Sequence, residues 1–298
     1  MRPRTRWSLV ATLGWLVATG CPNPYQGDDD DAGDDDTSGD DDDSCDRFDT
    51  LGTFTVGVNR NGGTFSGVYW DGPDPGLLDS VLEEDGCAFY RYVPRECDPP
   101  CDPPLACAFD ETCRPWPQYL SVGTISVTGT DPPLEIEPTE FNSYYTTEVY
   151  EDLFGPGDAL TVSAAGSFDV GPFSVTVAGV PLLEPYEQTV TMVEGEPLVI
   201  SWTPADGPDD AVVRVHLDND HHGVAAYAEC EVPSAEGQIL VPESIVEKMI
   251  EAGGSGIGTY VENAYLVRTT RSEQRHDPGC VVVSSSSEAR LYVDTVLR

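Results

Sequence analysis

Basic residues are scarce in this sequence. Its 298 residues include 15 Lys and Arg against 53 Asp and Glu, so the formal net charge is −38 at pH 7. Affinity for nucleic acids depends on neutralising phosphates with Lys and Arg, and anionic lipid surfaces attract the same side chains. The composition therefore excludes nucleic acid as a partner and disfavours contact with anionic lipid. Basic proteins, cations and neutral glycans remain open as binding partners.

Long apolar runs are missing as well. The stretch Trp7–Thr19, which is apolar or small throughout, has 13 residues, whereas a membrane-spanning helix needs about 20. Three arginines precede it and Gly20-Cys21 ends it, which is the layout of a secretory signal peptide. We predict a signal peptide over residues 1–20 and export by the general route, since the arginines are not adjacent as they are in a twin-arginine signal.

The end of this segment, Ala18-Thr19-Gly20-Cys21, resembles the lipobox of bacterial lipoproteins. The resemblance implies that Cys21 becomes a lipidated N-terminus with several acyl chains, palmitate among them, and several chains anchor a protein stably. In Gram-negative lipoproteins, Asp directly after the cysteine is associated with the inner membrane. Pro22 stands there in this sequence, which favours the cell outer membrane. The alternative is an ordinary cleavage site beside an unmodified cysteine.

An acidic linker follows the predicted anchor. Residues 21–44 contain eleven aspartates and no aromatic residue after Tyr25. Such a segment buries too little apolar surface to offset the entropy of ordering, so we predict a disordered tether that is extended by self-repulsion. At about 3.5 Å per residue it reaches at most about 80 Å. Its charge also repels an anionic membrane surface. A weak calcium-collecting strip is the alternative function.

Apart from Cys21, the sequence contains eight cysteines. An even number of cysteines indicates disulfides in an exported protein. Eight cysteines allow 105 connectivities, and sequence alone does not choose among them. The stretch CDPPCDPPLACAFDETC, residues 97–113, lacks the C-x2-C pairs typical of zinc sites. We expect a disulfide knot there that pairs Cys97 with Cys107 and Cys101 with Cys113. The eight are Cys45, Cys87, Cys97, Cys101, Cys107, Cys113, Cys230 and Cys280.

The rest of the chain alternates apolar with small or polar residues. This period of two, rich in Val and Thr and interrupted by turn sequences, is typical of antiparallel strands and favours an all-β, β-sandwich architecture. One helix is expected after Pro242, in PESIVEKMIEAGG, and a shorter helical turn at 76–85. The predicted strands are residues 53–58, 121–128, 159–164, 173–177, 198–203 and 211–217.

Two folded domains fit the length that follows the linker. We place their boundary in GVPLLEPYEQ, where prolines interrupt the alternation, so that residues 45–183 form a cysteine-rich β domain and 184–298 a second sandwich. Within the latter, LVISWTP and AVVRVHL resemble the B and C strands of immunoglobulin-like and fibronectin-III-like domains, which implies that Trp202 is a core ring. Cys230 and Cys280 do not flank Trp202 as the immunoglobulin pattern requires.

No catalytic signature is present. The four histidines form no H-E-x-x-H, and the glycines of residues 253–258 match neither a nucleophile elbow nor a dinucleotide fingerprint. We therefore predict no enzyme activity, no cofactor and no established metal site. One pattern leaves calcium open: Asp218, Asp220, His222, Gly223 and Glu229 occupy positions 1, 3, 5, 6 and 12 of a calcium loop. The alternative is a polar hairpin tip.

Together these features predict a membrane-anchored extracytoplasmic lipoprotein that acts as a non-catalytic binding or scaffold module of the cell envelope. Its ligand would be a protein or a glycan. An envelope spacer without a small ligand and an extracytoplasmic enzyme are the alternatives.

Overall fold

The computed structural model describes Cys45 and residues 50–73, 78–92, 96–108, 110–219, 226–252, 261–277 and 279–298. The predicted signal peptide, Cys21 and the acidic linker lie outside these residues, as do Asp220, His222 and Gly223 of the calcium pattern. Within the described ranges, no helix is long and apolar enough to cross a membrane.

The regular structure of the described residues is almost entirely β strand, with one α-helix. The all-β prediction is therefore confirmed. The strands are β1 Thr50–Asn59, β2 Gly62–Tyr69, β3 Leu78–Glu84, β4 Cys87–Tyr92, β5 Ala106–Cys107, β6 Cys113–Arg114, β7 Ile125–Thr128, β8 Leu134–Ile136, β9 Tyr144–Tyr145, β10 Ala159–Ala164, β11 Phe173–Ala178, β12 Thr189–Val193, β13 Leu198–Ser201, β14 Val212–Asp218, β15 Ala226–Pro233, β16 Gln238–Val241, β17 Val261–His276 and β18 Gly279–Val296, and the helix is α1 Glu243–Ala252.

Ten of these strands form one large sheet, which we call the main sheet. Its order is β3-β4-β15-β14-β17-β18-β1-β2-β9, and β12 also pairs with β18. Most neighbours are antiparallel, but β1 and β12 both run parallel to β18, the first beside its beginning and the second beside its end. The hairpin of β17 and β18, with strands of 16 and 18 residues, therefore lies at the centre of the main sheet and is paired on both sides.

Two smaller layers cover one face of the main sheet and enclose two hydrophobic cores. The first core lies under a four-stranded sheet of order β11-β10-β7-β8, and the second lies under the β13–β16 pair and α1. This arrangement gives two sandwich-type units. Residues central to the first core include Phe54, Phe65, Ile125, Leu160 and Val283. Those central to the second include Ile200, Trp202, Val215, Met249 and Leu266.

The alternation within β18 explains why both cores lie on the same face. Val281 and Val283 enter the first core, and Leu291 and Val293 enter the second. All four positions are odd, and alternate residues of a strand share one face. One continuous strand thus contributes to both cores.

The boundary predicted between residues 183 and 184 does not separate these units. Strand β4 precedes the boundary but pairs with β15, and β18 follows it but pairs with β1. The disulfides Cys45–Cys280 and Cys87–Cys230 also connect the two sides. The long β17–β18 hairpin is the physical reason that the units are not divided at this boundary, because it pairs with strands from both halves of the chain.

Several local predictions can be compared with the elements. The helix after Pro242 is present as α1, which buries Ile245, Val246 and Met249, and Trp202 is buried in the second core. The helical turn expected at 76–85 is wrong. Residues 78–84 form the edge strand β3 instead, because pairing with β4 and packing of Leu82 against the second core outweigh local propensity.

The cysteine-rich segment forms a compact knot beside strands β5 and β6. Cys97 bonds Cys107, and Cys101 bonds Cys113, which is the overlapping pairing expected from the sequence. The Sγ atoms of Cys97, Cys101 and Cys113 lie within 4.8 Å of one another. Because each of these sulfurs is already part of a disulfide, the group offers no thiolate to a metal ion.

Candidate binding site on the outer face of the sheet

The face of the main sheet that points away from the cores carries a row of aromatic and ionisable side chains. The strand register sets this row: His216 lies opposite Glu229 on one side and Tyr265 on the other, and Tyr227 lies opposite Tyr90. Their chain neighbours Val215, Leu217 and Phe89 fill the second core, so alternation directs this set to the other face. We call the set the Tyr–His cluster; its members are Tyr90, His216, Tyr227, Glu229, Tyr265 and Glu288.

Aromatic contacts hold the centre of the cluster. The rings of Tyr90 and Tyr227 stack with centroids 4.7 Å apart and planes 22° apart. The imidazole of His216 lies 5.0 Å from the Tyr227 ring. Stacked aromatic pairs of this kind add about 0.5–1.5 kcal/mol beyond the area that they bury. The geometry therefore fixes Tyr227 between two rings.

A hydrogen bond between a histidine and a carboxylate completes the centre of the cluster. His216 Nδ1 lies 3.0 Å from Glu229 Oε1, and the two side chains are only 12% and 9% exposed. A polar group at such low exposure is costly unless it is hydrogen-bonded. The pair thus holds both side chains in place on the sheet.

The same pair bears on the calcium pattern. Glu229, its position 12, is paired with a histidine, and Asp218, its position 1, lies in β14 opposite Tyr227. Strands flank the segment where helices flank an EF-hand loop. The other three positions lie outside the described residues, so calcium binding at residues 218–229 stays a prediction.

The edge of the cluster is shaped by burial and by neighbouring charges. Desolvation raises the pKa of the Glu288 carboxyl, and the nearby His216 acts in the opposite direction. Desolvation also raises the pKa of the Tyr265 hydroxyl, helped by the charge of Glu288 and opposed by that of Arg290. The Tyr265 hydroxyl therefore stays protonated, and the cluster offers donors and acceptors beside flat aromatic rings.

A second polar feature lies on the inner face, between the two cores. It consists of Arg268, Thr270, Ser285 and Ser287, all buried, and we call it the polar seam. Val180 N donates to Ser285 Oγ at 3.1 Å and Leu183 N to Ser287 Oγ at 2.8 Å. Thr270 Oγ1 donates to Ala178 O at 2.5 Å. The seam thereby supplies hydrogen-bond partners for backbone N–H and C=O groups of residues 178–183, the segment that crosses from one core to the other.

Arg268 is the most unusual member of the seam. Its side chain is fully buried, and its Nε donates to Ser234 Oγ at 2.8 Å. Its Nη atoms donate to three backbone carbonyls, Pro181 O at 3.3 Å, Leu182 O at 3.1 Å and Thr203 O at 3.1 Å. Desolvation lowers the pKa of the guanidinium. Sequence reasoning missed the seam, and its one signal was an Arg at a position where alternation expects an apolar residue.

Comparison with known proteins adds little to this description. No protein-family model and no curated protein matches the sequence. Among solved structures, the FN1–FN3 domains of chicken CNTN1 are similar at 12% sequence identity with a TM-score of 0.20. The match covers 73% of this chain and 65% of that one, so it spans less than two thirds of the solved chain. A TM-score of 0.20 is too low to equate the two folds.

Proposed function

We propose that the protein is a membrane-anchored extracytoplasmic lipoprotein that acts as a non-catalytic binding module on the cell envelope, with the Tyr–His cluster as its binding surface. The observation that carries the proposal is the cluster itself, in which aromatic rings and hydrogen-bonding groups converge on one sheet face. Aromatic residues with polar handles are enriched at binding surfaces.

A neutral glycan is the ligand class that this chemistry fits best. The Tyr265 ring supplies a flat apolar surface for a sugar ring, while the Glu288 carboxyl and the tyrosine hydroxyls supply hydrogen-bond partners for sugar hydroxyls. The net charge of the chain, −38 at pH 7, repels polyanions but not an uncharged glycan. A protein ligand with a basic surface is the competing partner.

The cysteine pairing supports the anchor in this proposal. The chain has nine cysteines, and eight of them form the four disulfides of the body. Cys21 is the ninth, and the lipobox resemblance assigns it to lipid. An unmodified Cys21 would be an odd thiol in an exported protein, which is unusual.

A glycan array probed with the full-length protein tests the binding function. We expect binding that Tyr227→Ala reduces at least tenfold, because the substitution removes the ring held between Tyr90 and His216. Tyr186→Ala is the matched control, since Tyr186 is 66% exposed and lies outside the cluster. Circular dichroism checks that both variants are folded. Binding to no glycan, or equal loss in both variants, would contradict the proposed ligand.

Fractionation tests the anchor separately. Wild-type protein should partition with the outer membrane, and a Cys21→Ala variant should be released in soluble form. If the variant stays with the membrane, the anchor is not Cys21.

A second candidate function is an envelope spacer without a small ligand. The continuous β17–β18 hairpin favours it, because a 16-residue strand at about 3.3 Å per residue spans about 50 Å across both cores. Cross-linking in intact cells distinguishes the two functions. A stable high-mass complex that survives Tyr227→Ala would favour the spacer.

A further inference from the structure

The disulfide knot of residues 97–113 is more accessible than the other two disulfides of the body. Cys113 is exposed, and Cys101 and Cys107 are half-buried. The cysteines outside the knot are at most 9% exposed; they are Cys45, Cys87, Cys230 and Cys280. Thiol–disulfide exchange requires that the attacking thiolate reach a sulfur atom. A reductant will therefore open the knot before it opens the buried bonds.

A pocket opens onto the cysteines of the knot. Its volume is about 480 Å³, within the roughly 300–1,000 Å³ of pockets that hold drug-sized ligands. Cys97 and Cys107, which form one bond, line it together with Cys101 of the other bond. Pro100 and Leu105 give it apolar walls. Both disulfides of the knot are thus within reach of a small dithiol.

The sulfur atoms of the knot are close enough to share one metal ion. The Sγ atoms of Cys97, Cys101 and Cys113 lie within 4.8 Å of one another. Thiolates at about 2.3 Å from a tetrahedral zinc ion lie about 3.8 Å apart, so shifts of about 1 Å bring these three to that spacing. Cys107 lies opposite Cys113 on the neighbouring strand, and paired residues share one face. Its sulfur is therefore placed to be the fourth ligand.

Contacts other than the disulfides also hold the knot together. Strands β5 and β6 pair Cys107 with Cys113, and Ala108 N donates to Thr112 O at 2.8 Å in the turn between them. The prolines of the two CDPP repeats restrict the other half of the knot, since each proline fixes its own φ. The four sulfurs will therefore stay near one another when the bonds are reduced.

We propose that the knot is a redox-controlled metal site, in which reduction of both disulfides creates a four-thiolate site for Zn²⁺. The ligands are Cys97, Cys101, Cys107 and Cys113. Thiolate sulfur suits zinc, whereas calcium and magnesium prefer oxygen. In the oxidised protein the same sulfurs are bonded to one another and bind no metal. The site goes beyond the proposed binding function, because none of its cysteines belongs to the Tyr–His cluster.

The reduction needs a dithiol as its electron donor. One thiol of the dithiol attacks a sulfur of the protein disulfide and forms a mixed disulfide; the second thiol then releases the protein and leaves the reductant as a cyclic disulfide. Each protein disulfide thus gains two electrons and two protons and becomes two thiols. One Zn²⁺ then displaces the four thiol protons, which pass to solvent.

Cobalt titration of the full-length chain tests the proposal, because tetrahedral cobalt thiolates absorb visible light. The soluble Cys21→Ala protein is used, so that no thiol outside the body contributes. A phosphine reductant is applied under argon and removed, and mass spectrometry after alkylation identifies the reduced cysteines. We expect the knot to be reduced first. Cobalt bands should then appear with one ion per chain, and Zn²⁺ should remove them. The affinity for Zn²⁺ should be at least about 100-fold higher than in the oxidised protein.

Variants separate the knot from the rest of the body. Replacing Cys101 and Cys113 together by serine removes two ligands and should abolish the cobalt bands. Replacing Cys45 and Cys280 together by serine is the matched control, because it removes a disulfide outside the knot and should leave the bands unchanged. Circular dichroism checks that both variants are folded. Alkylating the reduced knot of the starting protein with iodoacetamide gives the same test without a substitution, and it should also abolish the bands.

Three results would overturn the proposal. Equal Zn²⁺ binding by the oxidised and reduced proteins would assign the ion to carboxylates. Metal binding that survives alkylation of the knot would place the ligands elsewhere. A reduced knot that binds neither cobalt nor zinc at about 1 mM, far above the range of structural zinc sites, would leave the knot with a structural role alone.

Discussion

The run of four serines at residues 284–287 provides a sharp test of the polar seam. Alternation places Ser285 and Ser287 on the inner face, where both are fully buried, and Ser284 and Ser286 on the outer face. The inner pair accepts hydrogen bonds from Val180 N and Leu183 N. Replacing neighbouring serines by alanine should therefore give effects that alternate along the strand.

The magnitude follows from the two amide groups. Ser287→Ala removes the acceptor of the Leu183 N–H without removing the donor, and a buried donor left unpaired costs about 1–3 kcal/mol. Ser285→Ala should cost the same for Val180. The double variant should lose about 2–6 kcal/mol of unfolding free energy, whereas Ser286→Ala should stay within about 0.5 kcal/mol.

Urea unfolding followed by tryptophan fluorescence measures these differences, with the disulfides kept intact. With a slope of about 3 kcal/mol per molar urea, a loss of 2 kcal/mol moves the midpoint by about 0.7 M. Amide hydrogen exchange gives a local readout, since Val180 and Leu183 should exchange faster in the corresponding variants. Equal destabilisation by Ser286→Ala and Ser287→Ala would refute the assignment of faces and with it the seam.

Three other predictions concern single sites. Gly67→Ala would place its Cβ 2.2 Å from Cδ1 of Phe54 and should lower the free energy of unfolding by about 1–3 kcal/mol because the core is overpacked. Gly72→Ala is the control: its Cβ would have nothing within 4 Å, so the same urea assay should show almost no change. Desolvation raises the pKa of Glu288 in the folded protein, so its contribution to stability is present below the ordinary carboxyl pKa of 4.5 and is lost as pH rises through the folded-state pKa. Glu288→Gln should therefore stabilise the protein at neutral pH and make its melting temperature depend less on pH. A pH profile of the melting temperature unchanged from wild type would contradict this. Replacing Cys45 and Cys280 together by serine should cost about 3 kcal/mol in thermal unfolding because the bond closes a long loop, and an unchanged melting temperature would show that the bond contributes nothing to stability.

The sequence predicted the elements whose apolar residues follow a regular period. Strand β10 has the predicted bounds of residues 159–164, and α1 begins directly after Pro242. In both cases the side chains that set the period are those that fill a core. Local pattern and tertiary packing agree there, so the pattern is sufficient.

The long hairpin could not be predicted in this way. Strands β17 and β18 carry Arg268, Thr270, Ser285 and Ser287 on the face that should be apolar. These polar residues are buried because they bind the backbone of residues 178–183. That partner is distant in sequence, and a periodicity argument has no access to it.

The candidate site was missed for a related reason. His216 and Glu229 are both visible in the sequence, but there Glu229 stands out only as position 12 of the calcium-loop pattern, and nothing in the sequence pairs it with His216. Strand register brings them together: residue 216 lies opposite residue 229 on the neighbouring strand. Tyr90 joins them from a part of the chain more than a hundred residues away, through the pairing of β4 with β15.

The Cys45–Cys280 bond also determines how the protein carries mechanical load. A pull transmitted through the N-terminal segment reaches the body at two places, through the disulfide at Cys280, the second residue of β18, and along the backbone at β1. At about 3.3 Å per residue the 18 residues of this strand extend about 60 Å. The hydrogen bonds to the antiparallel β17 are perpendicular to the strand, and those to the parallel β1 are slanted. A pull along β18 therefore loads them in shear, and many bonds share the force. A body held by this covalent bond would resist tension as a unit, without being peeled open one strand at a time.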